Sequence, residues 1–219
     1  MTYLRILFAL LMSTYSMHAQ SAPIEIEGSN DIPEFVDERD GQSYEVMLMK
    51  DGNYWLSENL NYRIEGSWCY NDTLDNCSKY GRLYSWPAAM ESCPLGWRLP
   101  SDEEWKLMLN NYKYASIDSA ELASPAIQKR PYWSTVERRN IIENLTSMGF
   151  ITGKGGTKEA YGAYINLILT EQFWTSTFMG EHLAYNYQFR STYKGLKASM
   201  SPGFRNKNSG IFCRCVKVE

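Results

Sequence analysis

The sequence of 219 residues is poor in histidine, in long apolar runs and in net charge. Only His18 and His182 are present, which excludes a metal site built from several histidines. The apolar run at residues 6–12 is too short to span a bilayer, and no later segment is predicted to cross a membrane. With 22 basic and 25 acidic side chains, the net charge of −3 gives no electrostatic basis for binding nucleic acid.

Apolar and aromatic residues, by contrast, are plentiful. The hydrophobic fraction is 44% and the charged fraction 21%, which is ordinary for a soluble globular protein and argues against general disorder. A chain of this length can bury a sizeable core. No second change of composition interrupts residues 37–219, so we expect a single domain there.

The amino-terminal stretch has the features of an export signal. Arg5 precedes the apolar run, and the sequence Ser-Met-His-Ala-Gln predicts cleavage after Ala19, with Ala22 as a second option. The alternative is a buried amino-terminal helix. We therefore expect a signal peptide at residues 1–19, a linker or early edge segment at 20–36, and an exported protein that is periplasmic, cell-surface or secreted.

The first part of the expected domain alternates between apolar and polar side chains. Tyr44, Val46 and Leu48 follow a period of two, and the pattern resumes at residues 54–56. Asp-Gly-Asn at residues 51–53 separates the two runs, and Asp-Gly in this position is a strong signal for a β-hairpin.

Two longer helices are predicted from their first residues. Ser101 with Glu104, and Ser134 with Glu137, have the spacing of a capping box, in which the hydroxyl and the carboxylate satisfy each other's backbone N–H groups. The second of these helices is predicted to end at Gly149.

Further segments complete an α+β pattern. A shorter helix is predicted to begin near Pro87, since proline is favoured at a helix start. Strands are predicted at residues 164–169, 173–177, 183–189 and 211–218. Two or three helices set among strands indicate the α+β class.

One run of sequence carries a family resemblance. Residues 85–105 read Ser-Trp-Pro-Ala-Ala-Met-Glu-Ser-Cys-Pro-Leu-Gly-Trp-Arg-Leu-Pro-Ser-Asp-Glu-Glu-Trp, and Glu-Asn-Leu-Asn-Tyr at 58–62, Phe-Trp-Thr-Ser-Thr at 173–177 and Arg-Cys-Val at 214–216 accompany it. This set resembles the Fibrobacter succinogenes major paralogous domain (FISUMP) family. The run also looks like the C-type lectin-like fold, which implies an α+β domain with two or three helices against antiparallel strands, stapled by disulfides.

The resemblance also suggests how the five cysteines pair. It implies a bond between Cys93 and Cys215, and it leaves Cys69 and Cys77 as a local pair. Because Cys213 shares a face with Cys215 on the predicted strand, it could replace Cys215 as the partner. The remaining thiol, Cys213 in the implied pairing, is either buried and inert or available for an intermolecular bond or redox chemistry.

No residue is assigned a catalytic role, and no metal or cofactor is expected. The Glu-Pro-Asn, Gln-Pro-Asp and Trp-Asn-Asp triplets of calcium-binding C-type lectins are absent, and the acidic residues at 71–76 fit a solvated turn. Cys213 and Cys215 are the only close cysteine pair that an enzyme similar to the formylglycine-generating group could use. A catalytic role for His182 is disfavoured relative to a surface position.

Aromatic residues suggest a binding function instead. Exposed rings can form a sugar- or peptide-binding platform, and Trp68, Tyr70 and Tyr132 are the candidates. We expect a non-catalytic binding or surface-interaction module with a glycan or protein ligand, bound in the loops between about residues 154 and 208. The alternatives are an enzyme related to the formylglycine-generating oxidases and a structural component of a bacterial cell-surface assembly.

Overall fold

The computed structural model describes residues 34–113, 133–190 and 199–217. The predicted signal peptide, most of the predicted linker and Tyr132 lie outside them. The described residues contain four α-helices: α1 Leu74–Tyr80, α2 Trp86–Ser92, α3 Asp102–Asn110 and α4 Thr135–Ser147. The strands are β1 Glu34–Val36, β2 Ser43–Leu48, β3 Tyr54–Leu56, β4 Ser67–Trp68, β5 Leu83–Tyr84, β6 Trp97–Arg98, β7 Thr157–Lys158, β8 Tyr164–Ile165, β9 Thr170–Met179, β10 Leu183–Arg190, β11 Ser199–Asn206, β12 Ile211–Phe212 and β13 Val216–Lys217. The α+β class is thus confirmed.

These strands form two main sheets and a small hairpin. The first sheet has the order β1-β2-β3-β13-β6, the second has the order β11-β10-β9-β12-β5-β4, and β7 pairs with β8. Strands β12 and β13 belong to different sheets, so residues 213–215 cross from one sheet to the other. This crossing segment brings the carboxy-terminal part of the described chain into contact with the amino-terminal strands, where Val216 pairs with Trp55.

The predicted hairpin is confirmed. Strands β2 and β3 pair antiparallel, with Val46 opposite Leu56. Tyr44 and Val46 are buried as the alternation predicts, whereas Leu48 is exposed. Gly52 in the turn has a φ of 88°, a backbone conformation that glycine adopts without steric cost.

Both predicted capping boxes are also present. The Ser101 hydroxyl accepts from the Glu104 N–H at 3.1 Å, and the Glu104 carboxylate accepts from the Ser101 N–H at 2.8 Å. Ser134 and Glu137 make the same two bonds at the start of α4. Gly149 follows α4 with a φ of 77°, as predicted for a helix stop.

Two segments differ from the sequence prediction. The strand predicted at residues 211–218 is two short strands, because the crossing segment separates them. The segment predicted as a strand at 164–169 pairs only at residues 164–165 and then turns at Asn166, which has a φ of 63°. Of the two alternatives for residues 20–36, the described residues 34–36 form the edge segment, paired with β2.

Two elements carry no clear sequence signal. Helix α1 has only one buried residue, Cys77, so it lacks the apolar stripe of an amphipathic helix. Strand β11 contains Pro202 and Gly203, which are depleted in strands. Its position at the edge of the sheet accommodates the proline.

The buried side chains form two clusters. Trp105 on α3 is the centre of an aromatic cluster, and its ring lies 5.0 Å from that of Trp55 and 5.4 Å from that of Tyr187. The second cluster lies between α2 and the two sheets and includes Trp174, Ile211 and both cysteines of the crossing segment.

Two disulfides fasten this arrangement. Cys69 pairs with Cys77, and Cys93 at the end of α2 pairs with Cys215 in the crossing segment, as the resemblance implied. Cys213 is the free cysteine and is buried. Among the helices that the structure describes, none has the length and apolar character needed to cross a membrane.

Candidate functional site

The three aromatic residues predicted for ligand binding have different positions. Trp68 is half-buried, and Lys158 Nζ lies 4.4 Å from its ring centre. Tyr70 is only 7% exposed, and its ring centre lies 5.3 Å from that of Tyr164. Tyr132 lies outside the described residues. The structure therefore leaves little free ring surface on the described pair, and a ligand-binding role for the three residues stays a prediction.

A buried ionic network joins several of the family-like motifs. Arg214 in the crossing segment is 2% exposed, and its Nη2 atom donates to Asn59 Oδ1 at 2.7 Å. Its Nη1 atom donates to the carbonyl of Ser57. Asn59 Nδ2 in turn donates to Glu171 Oε1 at 2.9 Å, and the same oxygen lies 3.7 Å from Arg214 Nη2. We refer to Arg214, Glu171 and Asn59 as the ionic network.

The second carboxylate oxygen of Glu171 is also occupied. It accepts from the backbone N–H of Thr152 at 2.7 Å and from that of Gly153 at 2.8 Å, in the loop after α4. Burial lowers the pKa of Arg214 from 12.5 to about 10. This value is still well above neutral pH, so the guanidinium remains charged. The network therefore ties the loop after α4, strand β9 and the crossing segment together, which is a structural role.

A polar cleft of about 360 Å³ lies above this network. Its wall includes Glu45 and Glu58, and Glu58 accepts from the Glu45 backbone N–H at 3.2 Å. Asn61 donates to Gln42 at 2.8 Å on the same side. These contacts connect the residues after β3 to strand β2 and to Gln42, which precedes it, so this wall of the cleft helps to hold the hairpin.

Three sulfur atoms meet beside α2. Cys213 Sγ lies 3.7 Å from Cys93 Sγ and 3.9 Å from Cys215 Sγ. Among the described residues this is the single group of three or more histidine, cysteine or acidic ligand atoms that lie within 4.8 Å of one another. Burial raises the pKa of Cys213 to about 12, so at neutral pH the thiol is protonated. Because the thiolate is the reactive form, the folded protein keeps this sulfur inert while the Cys93–Cys215 bond is intact.

The other residues considered for chemistry lie in separate places. His182 is exposed in the turn that joins β9 to β10. Asp72 accepts a hydrogen bond from the Tyr164 hydroxyl at 2.7 Å, and Asn76 donates to the carbonyl of Tyr70 at 2.9 Å. These side chains therefore hold the turn at residues 70–76 in place.

A second depression lies on the outward face of strands β9, β10 and β11. Tyr187 and Phe189 on β10 point into the core, so the alternation of the strand turns Asn186 and Gln188 to the opposite face. Gln188 lies opposite Gln172 on β9 and opposite Ser201 on β11. We call this depression of about 450 Å³ the amide groove; its lining includes Glu159, Tyr161, Gln172, Asn186, Gln188, Gly203, Phe204 and Arg205.

Hydrogen bonds fix the polar floor of the amide groove. Gln172 is 1% exposed, and its Oε1 atom accepts from Asn186 Nδ2 at 3.2 Å and from Arg205 Nε at 2.9 Å. Arg205 Nη1 donates to Glu159 Oε1 at 2.7 Å. The Gln172 Nε2 amide is buried and has no hydrogen-bond partner. Because its oxygen is held by two donors, the orientation of this unpaired donor is set.

One exposed ring borders the groove, that of Tyr161, which is 80% exposed. Gly203 faces the groove opposite Asn186, and a Cβ atom built there would lie 3.3 Å from Asn186 Oδ1. The alternation of the strand turns the ring of Phe204, the next residue, to the opposite face of the sheet. Gln172 and Asn186 are 1% and 4% exposed, so they form a closed floor beneath the groove.

The amide groove lies in the segment where a binding surface was predicted, but mostly on strands β9, β10 and β11 rather than on the loops of that prediction, and its individual residues were not predicted. All of its lining lies between residues 159 and 209. An isolated Asn or Gln on a strand is not part of any recognisable sequence motif. The pairing of β10 with β11 could not be recognised either, because Pro202 and Gly203 are untypical of a strand. The signal that was available is the pair Asn186 and Gln188, two polar residues at period two within a predicted strand.

Comparison with known protein families matches residues 50–217 to the Fibrobacter succinogenes major domain. The match covers well over half of the chain, so the chain belongs to this family. No curated protein and no solved structure matches the chain.

Proposed function

We propose that this protein is an exported, non-catalytic binding module whose ligand occupies the amide groove. The observation that carries the proposal is the depression of about 450 Å³ itself, which has the exposed Tyr161 and the half-buried Gln188 in its lining, above a floor where Gln172, Asn186 and Arg205 are fixed by mutual hydrogen bonds. Polar groups held in this way favour binding because little side-chain entropy is lost when a ligand arrives.

The environments of the residues considered as catalytic candidates support a non-catalytic role. Chemistry similar to that of the formylglycine-generating enzymes requires a reactive pair of cysteines, whereas Cys215 is in a disulfide and Cys213 is a buried, protonated thiol. Arg214 and Glu171 are enclosed and bonded to protein groups. His182 is exposed in a turn.

Export and a C-type lectin-like architecture complete the proposal. Two disulfides in a chain of this size are typical of an oxidising compartment outside the cytosol, and the composition of residues 1–19 is that of a signal peptide. The bond between Cys93 and Cys215 ties α2 to the crossing segment, next to the amino-terminal strand β3. If residues 1–19 are removed on export, the exported protein will begin at Gln20, which amino-terminal sequencing measures.

A substitution that fills the amide groove tests the binding function. The exported protein would be applied to an array of oligosaccharides and peptides together with the variants Gly203→Trp and Ser199→Trp. Gly203 lies in the groove, whereas Ser199 is exposed on the same strand and outside the lining. We expect Gly203→Trp to abolish the binding that Ser199→Trp retains, with unchanged melting temperatures. Equal binding by both variants, or no binding by the unsubstituted protein, would contradict the proposal.

A further inference from the structure

We propose that the Cys69–Cys77 disulfide is a reactive site at which this protein undergoes thiol–disulfide exchange with low-molecular-weight thiols. The bond is separate from the amide groove, whose lining contains neither cysteine. Three observations carry the assignment: an arginine directed at both sulfurs, a cleft that reaches Cys77, and a second disulfide in the same molecule with contrasting surroundings.

The side chain of Arg82 is held against both sulfurs of this bond. Its Nη1 atom lies 3.5 Å from Cys69 Sγ and 3.4 Å from Cys77 Sγ. The orientation of the guanidinium is fixed, because its Nε atom donates to Ser67 Oγ at 3.1 Å and the backbone N–H of Arg82 donates to the carbonyl of Leu60 at 3.0 Å. Among the residues that the structure describes, no carboxylate forms an ion pair with Arg82, so its positive charge is directed at the sulfurs.

A guanidinium in this position favours exchange because it stabilises the thiolate that leaves. The thiolate of an external thiol attacks Cys77 Sγ and forms a bond to it, the Cys69–Cys77 bond breaks, and the electron pair of that bond leaves on Cys69 Sγ. The resulting thiolate accepts a charge-assisted hydrogen bond from Arg82. A second external thiolate then attacks the external sulfur bound to Cys77, so both cysteines end reduced and the two external thiols end as their disulfide.

The polar cleft provides the approach to the bond. Cys69 and Cys77 are each 5% exposed, so an external thiol needs a path that reaches them. Cys77 lines the cleft of about 360 Å³, whose volume lies in the range of small-ligand pockets. The residues at 71–75, in the loop that the disulfide closes, are exposed. The attacked sulfur is therefore that of Cys77, and the leaving sulfur is that of Cys69.

The Cys93–Cys215 bond has contrasting surroundings. Cys215 is 0% exposed, and among the described residues the side chain that contacts the sulfurs of this bond by hydrogen bonding is the Cys213 thiol rather than a basic group. Burial in the same place raises the pKa of Cys213 to about 12. A thiolate that left on Cys215 would be disfavoured for the same reason, and a leaving thiol of high pKa slows exchange. We therefore expect the two disulfides of this protein to differ in reactivity.

The test places the exported protein in a series of glutathione buffers that range from oxidised to reduced. Free thiols are trapped at each ratio with an alkylating reagent, and peptide mapping by mass spectrometry measures the trapped fraction of each cysteine. We expect Cys69 and Cys77 to be half reduced at a ratio roughly tenfold less reducing than the ratio that opens the Cys93–Cys215 bond.

Arg82→Met removes the guanidinium and keeps an unbranched side chain in its place. Arg63→Met is the matched control, because Arg63 is an exposed arginine of the same segment and is not a donor to either sulfur. We expect Arg82→Met to shift the opening of the Cys69–Cys77 bond roughly tenfold toward more reducing buffer, and Arg63→Met to leave it within about twofold. Neither change should move the opening of the Cys93–Cys215 bond.

The outcomes either support or overturn the reactive site. Earlier opening of the Cys69–Cys77 bond, delayed by Arg82→Met but not by Arg63→Met, supports it. Opening of both disulfides at the same ratio, earlier opening of the Cys93–Cys215 bond, or equal behaviour of the two arginine variants overturns it. If Arg82→Met lowers the melting temperature, the variant Cys77→Ser decides instead, through the pKa of Cys69 measured by thiolate absorbance. A value below the ordinary one of about 8.5 supports the role of Arg82, and an ordinary or raised value overturns it.

Discussion

The ionic network and the amide groove are both built from hydrogen-bonded polar side chains, yet they differ in which way they face. In the network, Glu171 is fully buried and receives hydrogen bonds from three residues in addition to the charge of Arg214. In the groove, the Arg205–Glu159 pair and Gln188 are partly exposed, and the 80% exposed Tyr161 lies in the lining. The network is therefore directed inward and holds elements together, whereas the groove is directed outward.

The two regions also differ in their relation to the family motifs. Asn59 and Arg214 belong to the segments that resemble the family, and the same holds for Cys93 and Cys215. The residues of the groove lie outside the quoted segments. This division indicates that the quoted motifs hold the elements of the fold together, whereas the amide groove is formed by other residues of the same family domain.

The largest predicted effect concerns the long disulfide. By the chain-entropy model, Cys93→Ser lowers the free energy of unfolding by roughly 5 kcal/mol, because the bond joins residues that are 122 positions apart in the sequence. Cys69→Ser opens a much shorter loop and is expected to cost roughly 2.6 kcal/mol. Urea denaturation of the two variants measures the difference, and equal losses would contradict the dominance of the long bond.

Cys215→Ser sharpens this prediction. Since Cys213 Sγ lies 3.7 Å from Cys93 Sγ, we expect Cys213 to form the bond in place of Cys215. Cys215→Ser should then lose less stability than Cys93→Ser, and peptide mapping without reduction should find Cys93 joined to Cys213. Cys93 found as a free thiol in this variant would contradict the exchange.

The next effect tests the ionic network. Arg214→Met leaves the carboxylate of Glu171 buried without its counter-charge, and the expected loss is about 3–5 kcal/mol. The double variant Arg214→Met/Glu171→Gln removes both charges and should recover part of that loss. Chemical denaturation provides the comparison, and a loss below about 1 kcal/mol in the single variant would show that the network is not structural.

The matched change in the groove has a smaller effect on stability. The Arg205–Glu159 pair is partly exposed, with 20% of each side chain accessible, so Arg205→Met should cost less than about 1 kcal/mol. Because Arg205 also holds the oxygen of Gln172, the same variant should lose ligand binding. A variant with unchanged binding and a large loss of stability would reverse the assignment of the two regions.

The last predicted effect is a dependence on alkaline pH. Burial raises the pKa of Cys213 from its ordinary value of 9.0 to about 12, so the folded state favours the protonated thiol. The stability that this provides is present below pH 9 and is lost as the pH rises from about 9 toward 12. Melting temperatures measured from pH 8 to pH 11 should therefore fall less for Cys213→Ser than for the unsubstituted protein, and parallel curves would contradict the buried position of the thiol.

The sequence predicts local structure where a few residues decide it. The capping boxes at Ser101 and Ser134 and the Asp-Gly turn at Gly52 are each satisfied by neighbours in the chain. Helix α1 and strand β11 depend on tertiary context instead: the Cys69–Cys77 disulfide fixes α1 through Cys77 in its middle, and β11 is held by pairing with β10. Neither has a periodic apolar pattern that could reveal it.

The candidate site was predictable only as a region. The segment between residues 154 and 208 contains most of the groove, but the meeting of Gln172, Asn186 and Arg205 depends on the register of three strands. The aromatic residues that stood out in the sequence include Tyr70, which is buried against Tyr164. The composition therefore draws attention to aromatic residues, whereas their burial in the fold decides which rings are accessible to a ligand.

The most direct test of the account is an NMR titration of the exported protein with an oligosaccharide or peptide that it binds on the array. We expect the largest chemical-shift changes in the backbone of β10 and β11 and in the side-chain amides of Gln172, Asn186 and Gln188. The side-chain amide of Asn59, in the ionic network, should not shift. Changes concentrated at Asn59 and along the polar cleft, with an unperturbed amide groove, would contradict the separation of a structural network from a binding groove.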